Sequence, residues 1–154
     1  MSRFVPRKQG VKFYFAPAVA VLAAPTRTEI TAAVDLTPQL ADTSGFSAAP
    51  QSAEVPDYDS DFTKKVPGIK AAEDPTMTFW EDDDSSTIRT AVADGAAGFI
   101  IRCPYGDVAA KRCEVWPVRS TGPNTNLPND NNAAQFVVVF ATEDAPELEA
   151  VLPA

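Results

Sequence analysis

A chain of 154 residues, 45% apolar and 22% charged, is long enough to bury roughly 68 to 70% of its unfolded surface in one domain without staples. It contains no histidine, which removes Ser-His and Cys-His dyads, the usual catalytic zinc sites and the commonest general base. A net charge of −8 and a pI near 4.4 repel phosphate and argue against tight nucleic-acid binding, although they suit a protein that only encloses DNA.

The first ten residues, MSRFVPRKQG, are basic through Arg3, Arg7 and Lys8. The aromatic, alternating VKFYFAP that follows is unlike a signal-peptide core, so export is not expected. Residues 11–16 and 18–23 read as strands on either side of Pro17, which cannot donate a ladder hydrogen bond. Residues 26–46 carry a weak helical signal from Ile30, Val34 and Leu40 that Pro38 interrupts, and are read as irregular with a short helix. Residues 46–55 and 64–74 are extended, joined by the polar loop PDYDSDFT that Pro56 opens. TMTFWE, residues 76–81, is a strand. Ile88, Ala91 and Val92 then fall on one helical face, Gly95 ends it, and Asp84 or Ser85 caps it, giving a helix over 85–94. GFIIRC (98–103) and KRCEVWPV (111–118) form a hairpin around PYGDVAA, and AAQFVVVFAT (133–142) is the strongest strand. STGPNTNLPNDNN reads as a loop, and the acidic EDAPELEAVLPA as an arm rather than core. No apolar run approaches the ~20 residues of a membrane span.

The pattern predicts a mainly β, single-domain sandwich or barrel with one flanking helix and extended terminal arms. Its sheet edges can be covered by neighbouring copies. Asp57, Asp59 and Asp61 start like a calcium loop, but Phe62 stands where the glycine belongs and Gly68 where the glutamate belongs. No metal and no cofactor are expected. Glu81 to Asp84 are adjacent acids on one turn, whereas acid-base chemistry needs carboxylates in contrasting environments. Asp82, Asp83 and Asp84 instead suit a helix N-terminus, each contributing about 0.3 to 1 kcal/mol. Residues 94–98 lack the lysine and spacing of a phosphate loop. Trp80 and Trp116 read as core or subunit-contact residues. Cys103 and Cys113, on neighbouring strands, permit a disulfide without requiring one. An enzyme is not expected.

The ordered set DLTPQLADTSGF, KVPGIK, the acid-led helix, GFIIRCPYGD, EVWPVRS and QFVVVFATEDAPE resembles the major tail tube proteins of long-tailed phages infecting actinobacteria. The resemblance spans residues 11–154 and rests on the order of the motifs, the WPV segment in particular. It implies a virion structural protein that assembles into stacked hexameric rings, made in the host cytoplasm and carried in the tail. Its partners would be further copies of itself and the tape measure, terminator and distal tail proteins. Genome DNA would pass through the lumen without specific binding, and no membrane would be involved. Residues 56–63 would contact the adjacent ring, with Asp57, Asp59, Asp61, Lys64 and Lys65 as the pairing charges. The arms, residues 1–10 and 143–154, carry opposite charge: Arg3, Arg7 and Lys8 against Glu143, Asp144, Glu147 and Glu149. Two alternatives stand beside this reading. One is a terminator or connector ring; the other is a small host- or carbohydrate-binding β-module with Trp80, Trp116 and Tyr105 as its platform.

Overall fold

The computed structural model describes residues 10–83 and 86–154. The expected contributions of Arg3, Arg7, Lys8 and Asp84 lie outside the described residues. One antiparallel sheet contains β1 (Lys12–Ala16), β2 (Val34–Asp35), β3 (Leu40–Ser44), β6 (Thr76–Trp80), β7 (Ala97–Cys103), β8 (Arg112–Asn126), β9 (Gln135–Thr142) and β10 (Glu147–Val151). The strand order is β2-β1-β7-β8-β9-β6-β3, with β10 paired to β8 below β9. β4 (Pro50–Val55) and β5 (Lys64–Lys70) form a separate two-stranded ribbon.

The two ends of the sheet, β2 and β3, are consecutive in sequence. Five peptide steps through the 3-10 turn Thr37–Gln39 separate Asp35 from Leu40, so they lie at most about 18 Å apart. The sheet therefore curls on itself like a barrel. Thr37 ties the turn to β1, its Oγ1 accepting from the Phe13 N–H at 3.0 Å, while the Leu36 N–H donates to the Phe13 carbonyl at 2.9 Å. Inside lie Phe15, Met77, Phe79, Trp116, Phe136 and Phe140, each such side chain stabilising the fold by roughly 1.5 to 3 kcal/mol. β9 feeds this cluster by strict alternation, with Phe136, Val138 and Phe140 buried.

A second cluster of Ile30, Ile101, Cys103, Cys113, Val115 and Leu152 covers the opposite face of β7 and β8. Burial on both faces explains why GFIIRC is continuously apolar rather than alternating. The cover comes from α1 (Arg27–Ala32), whose capping box joins Thr26 and Glu29: Thr26 Oγ1 accepts from the Glu29 N–H at 3.2 Å, and Glu29 Oε1 accepts from the Thr26 N–H at 2.9 Å. Arg27 donates twice to Asp107 at 2.8 Å and once to the Pro153 carbonyl at 2.8 Å. Helix, loop 104–111 and C-terminus are thereby fastened together.

Several expectations change. Residues 18–23 are not a strand, because both edges of β1 are already occupied by β7 and β2. Among the described residues two α-helices flank the sheet rather than one. The second, α2 (Thr87–Ala91), has Ser86 as N-cap without a side-chain hydrogen bond and no acid in its first turn. Asp82 and Asp83 therefore precede the helix instead of capping it. Asp82 accepts from Gln39 Nε2 at 2.9 Å, and Glu81 pairs with Arg89 at 3.1 Å. The polar segment 120–126 continues β8, because β9 supplies the ladder through Pro123↔Val138 and Thr125↔Phe136. Residues 143–154 are not an arm. β10 pairs with β8, and buried Ala150 and Leu152 alternate with exposed Glu149 and Val151.

The β4–β5 ribbon leaves the barrel where β3 ends and β6 begins. Gly45 makes that exit at φ +78°, and a Cβ there would stand 2.8 Å from the Asp74 carbonyl oxygen. Glycine is needed on both counts.

Candidate assembly surfaces

Every residue of β4 and β5 is exposed. The register sets Ala53 opposite Val66, Glu54 opposite Lys65 and Val55 opposite Lys64. Cross-strand partners share a face and side chains alternate along a strand, so one face of the ribbon carries Ala53, Val55, Val66 and Lys64, apolar but for one lysine, while the other carries Ser52, Glu54, Lys65 and Pro67. At the tip, Tyr58 is 111% exposed and Phe62 73%. An isolated two-stranded ribbon is marginal in water, and an apolar face without cover marks a contact surface.

Of the charges expected to pair between copies, Lys64 meets Asp57 at 3.5 Å and Lys65 meets Glu54 at 3.8 Å within the ribbon itself. Such exposed pairs contribute about 0 to 1 kcal/mol. Asp57 Oδ1 also accepts from the Asp59 N–H at 2.9 Å, shaping the tip. Among the described residues Asp59 and Asp61 have no ion-pair partner. Among the described residues no group of three or more carboxylate, thiol or imidazole side chains is placed to hold a metal.

The root of the ribbon is held by residues that sequence reasoning passed over. Phe46 packs edge-on against Trp116 with ring centroids 5.3 Å apart, and the Arg102 guanidinium lies 4.4 Å from the Phe46 ring centre. Arg102 Nη1 donates to Glu114 Oε2 at 2.6 Å, and Trp116 Nε1 donates to the same oxygen at 3.4 Å. Among the described residues Arg102 Nε is buried without a hydrogen-bond partner. That cost is offset by stacking and by the charge-assisted bond to Glu114. The signal available was the period-two placement of Arg102 beside Ile100 on a buried strand, which forces a cation toward the core and so demands a partner.

The C-terminal acids are engaged within the chain. Glu143 pairs with Arg119, Glu149 with Arg112 at 3.2 Å, Asp144 accepts from the Ala145 N–H at 2.7 Å, and Glu147 accepts from the Glu149 N–H at 3.1 Å. An aromatic platform of Trp80, Trp116 and Tyr105 does not exist. Trp116 is wholly buried, Trp80 ends β6 at one end of the barrel, and Tyr105 follows β7 at the other.

The family model described as phage tail tube protein matches residues 1–154. The chain belongs to the phage tail tube protein family. Among solved structures, the tail of an empty GTA particle, described with C6 symmetry, superimposes with a TM-score of 0.61 at 11% identity. The match covers 94% of this chain and 99% of that one. The likeness supports the fold, and no curated protein matches the sequence. The protein is thus a structural component of phage tails, mainly β, with an antiparallel sheet.

The two thiols of this tail tube protein are free and buried, each next to the Arg102↔Glu114 pair that ends the β7–β8 ladder. Burial first, then the neighbouring Cys113 thiol, pushes Cys103 up to about 12, and burial followed by Glu114 pushes Cys113 up to about 11. Tyr14 is raised to about 12 by burial and then by Asp107 and Asp35. All three are acids whose neutral form the fold favours. Their stabilisation is complete below the reference values of 9.0 and 10.0, and is lost as pH rises through 11 to 12. Circular dichroism between pH 8 and 12 should show a flat signal to about pH 9 followed by cooperative unfolding. Replacing both cysteines with alanine should move that transition to higher pH, and an unmoved transition would remove the thiols from the account.

Proposed function

We propose that the protein polymerises into hexameric rings stacked as the tail tube, through whose lumen genome DNA passes. The observation that carries this reading is the β4–β5 ribbon. It projects from the barrel with a largely apolar face and two aromatic tip residues that stay exposed among the described residues. A subunit that presents such a surface at one end and a different surface at the other joins copies head to tail, and head-to-tail contacts that do not close give open filaments. Residues 56–63 are the segment that contacts the adjoining ring. Sixfold rings draw support from the C6 symmetry of the GTA tail. The net charge of −8 keeps the transported polyanion from adhering to the wall. A tape measure inside the tube, with terminator and distal tail proteins at its ends, completes the set of partners, and assembly takes place in the host cytoplasm.

Purified protein at raised concentration is expected to give tubes of stacked rings by negative-stain electron microscopy. Single rings that do not stack would assign the chain to a terminator instead.

A further inference from the structure

Strands β7 and β8 pair Ile101 with Val115 and then Arg102 with Glu114, without a shift of register. One step further in the same direction stand Cys103, the last residue of β7, and Cys113, the second of β8. Each is still held as strand on its other side, Cys103 by Lys12 of β1 and Cys113 by Ala150 of β10. Residues opposed across antiparallel strands have Cα atoms about 4.5 or 5.5 Å apart and share a face. A disulfide needs a separation of about 4.4 to 6.8 Å. Both thiols lie in one buried cluster, together with Ile101 and Val115. A sulfur–sulfur bond therefore fits the strands as they stand.

The loop that such a bond would close is where distant parts of the chain converge. Asp107 accepts twice from Arg27 at the start of α1. The Ala110 N–H donates to the Leu152 carbonyl at 3.0 Å, and the Leu152 N–H donates to the Lys111 carbonyl at 2.9 Å. Gly106 lies so close to Gly10 that a Cβ on it would stand 2.5 Å from the Gly10 carbonyl oxygen. Yet the loop exposes Tyr105 and Val108, and Ala110 sits at φ 62°, a conformation that costs a residue with a side chain. Both ends of the described chain are thus tied to a segment with little packing of its own.

We propose that Cys103 and Cys113 form an intrachain disulfide when the protein meets a peroxide, fastening the loop 104–111 that anchors both ends of the described chain. The thiolate of one cysteine attacks a peroxide oxygen; a sulfur–oxygen bond forms, the oxygen–oxygen bond breaks, and the departing hydroxide takes up the thiol's proton as water. The second thiol attacks the resulting sulfenic sulfur and expels hydroxide, which leaves with that thiol's proton as a second water. Two thiols are oxidised to one disulfide, and one hydrogen peroxide is reduced to two waters. Burial holds both thiols protonated, and thiolate is the attacking form, so closure is slow at neutral pH and quickens about tenfold per unit up to pH 9. A reducing cytoplasm preserves the thiols, and release with the particle exposes them to oxidising surroundings. That timing rests on the assembly proposed above; the bond itself does not.

Reduced protein treated with hydrogen peroxide at about pH 8.5, then denatured and exposed to N-ethylmaleimide, should take no label and weigh two hydrogens less by mass spectrometry. Digestion should yield one peptide pair joining Cys103 to Cys113, and reductant should restore both labels. The oxidised chain should melt about 5 to 10 °C above the reduced one. The amides of Ala110 and Leu152 should exchange more slowly. Two labelled cysteines after peroxide, a sulfinic acid at either position, or a bond between chains would overturn the proposal. An unchanged melting temperature would overturn the fastening. Cys113→Ser, treated alike, should gain no stability, and a gain there would assign the effect to another oxidation. None of these readouts requires tubes, so failure of the disulfide and failure of the stacking reading are told apart.

Discussion

Val55→Asp combined with Val66→Asp is expected to abolish tube formation while leaving the subunit folded. Both side chains lie on the apolar face of the β4–β5 ribbon and are almost half exposed in the subunit, so replacing them should change its stability by no more than about 0.5 kcal/mol each. In the proposed tube that face is covered. Burying the exposed half of each valine contributes roughly 0.7 to 1.5 kcal/mol, and a carboxylate in its place must be desolvated as well. Losing about 1.5 to 3 kcal/mol per contact from the two valines weakens association by some one to two orders of magnitude, and the desolvation adds to it. Thermal unfolding followed by circular dichroism and particle counts by electron microscopy separate the two effects. Tubes forming at the wild-type concentration would refute the role given to this face. Ser52→Asp, on the opposite face, should be tolerated much better.

Trp116→Ala is expected to destabilise the subunit by about 3 to 5 kcal/mol, whereas Trp80→Ala should cost no more than about 1 kcal/mol. Trp116 is fully buried in the main cluster, supports Phe46 at the root of the ribbon and donates to Glu114. Its removal leaves a large cavity, frees Phe46 and takes a donor from a carboxylate that Arg102 also needs. For a domain with roughly 5 to 15 kcal/mol in hand this is close to unfolding. Urea titrations with unchanged slope would measure both variants. A loss below about 1.5 kcal/mol for Trp116→Ala would mean that the cluster collapses to fill the space. Trp80→Ala tests the other function of the pair: a small stability loss accompanied by impaired stacking places that residue at a contact between subunits.

The legible parts of the fold were those in which local pattern and tertiary demand agree. β6, β7 and β9 are runs of β-branched and aromatic side chains, and β1 is aromatic and alternating. Segments whose strand character comes from a neighbour were harder to read. Pro123 to Asn126 look like loop by composition but form a ladder with β9, and Glu147 to Val151 look like an acidic tail but pair with β8. In FWEDDDSST, the step from strand to acids was readable, with Phe79 buried and Trp80 ending β6. The helix after it is shorter than the apolar spacing implies. It starts at Thr87, so Glu81, Asp82 and Asp83 sit on the connection before it, Glu81 paired with Arg89 and Asp82 accepting from Gln39.

The sequence by itself determined the class of the protein: an acidic, strand-rich chain with the ordered motifs of the tail tube family. Composition, charge and side-chain period are local quantities, and they survive without coordinates. Only the tertiary structure decided that the ribbon exposes Ala53, Val55 and Val66 on one face and that the C-terminal acids are engaged within the chain. It also set Trp80 and the ribbon at opposite ends of the barrel. Those facts depend on register and on which strand occupies each edge, both set by pairing between segments distant in the chain.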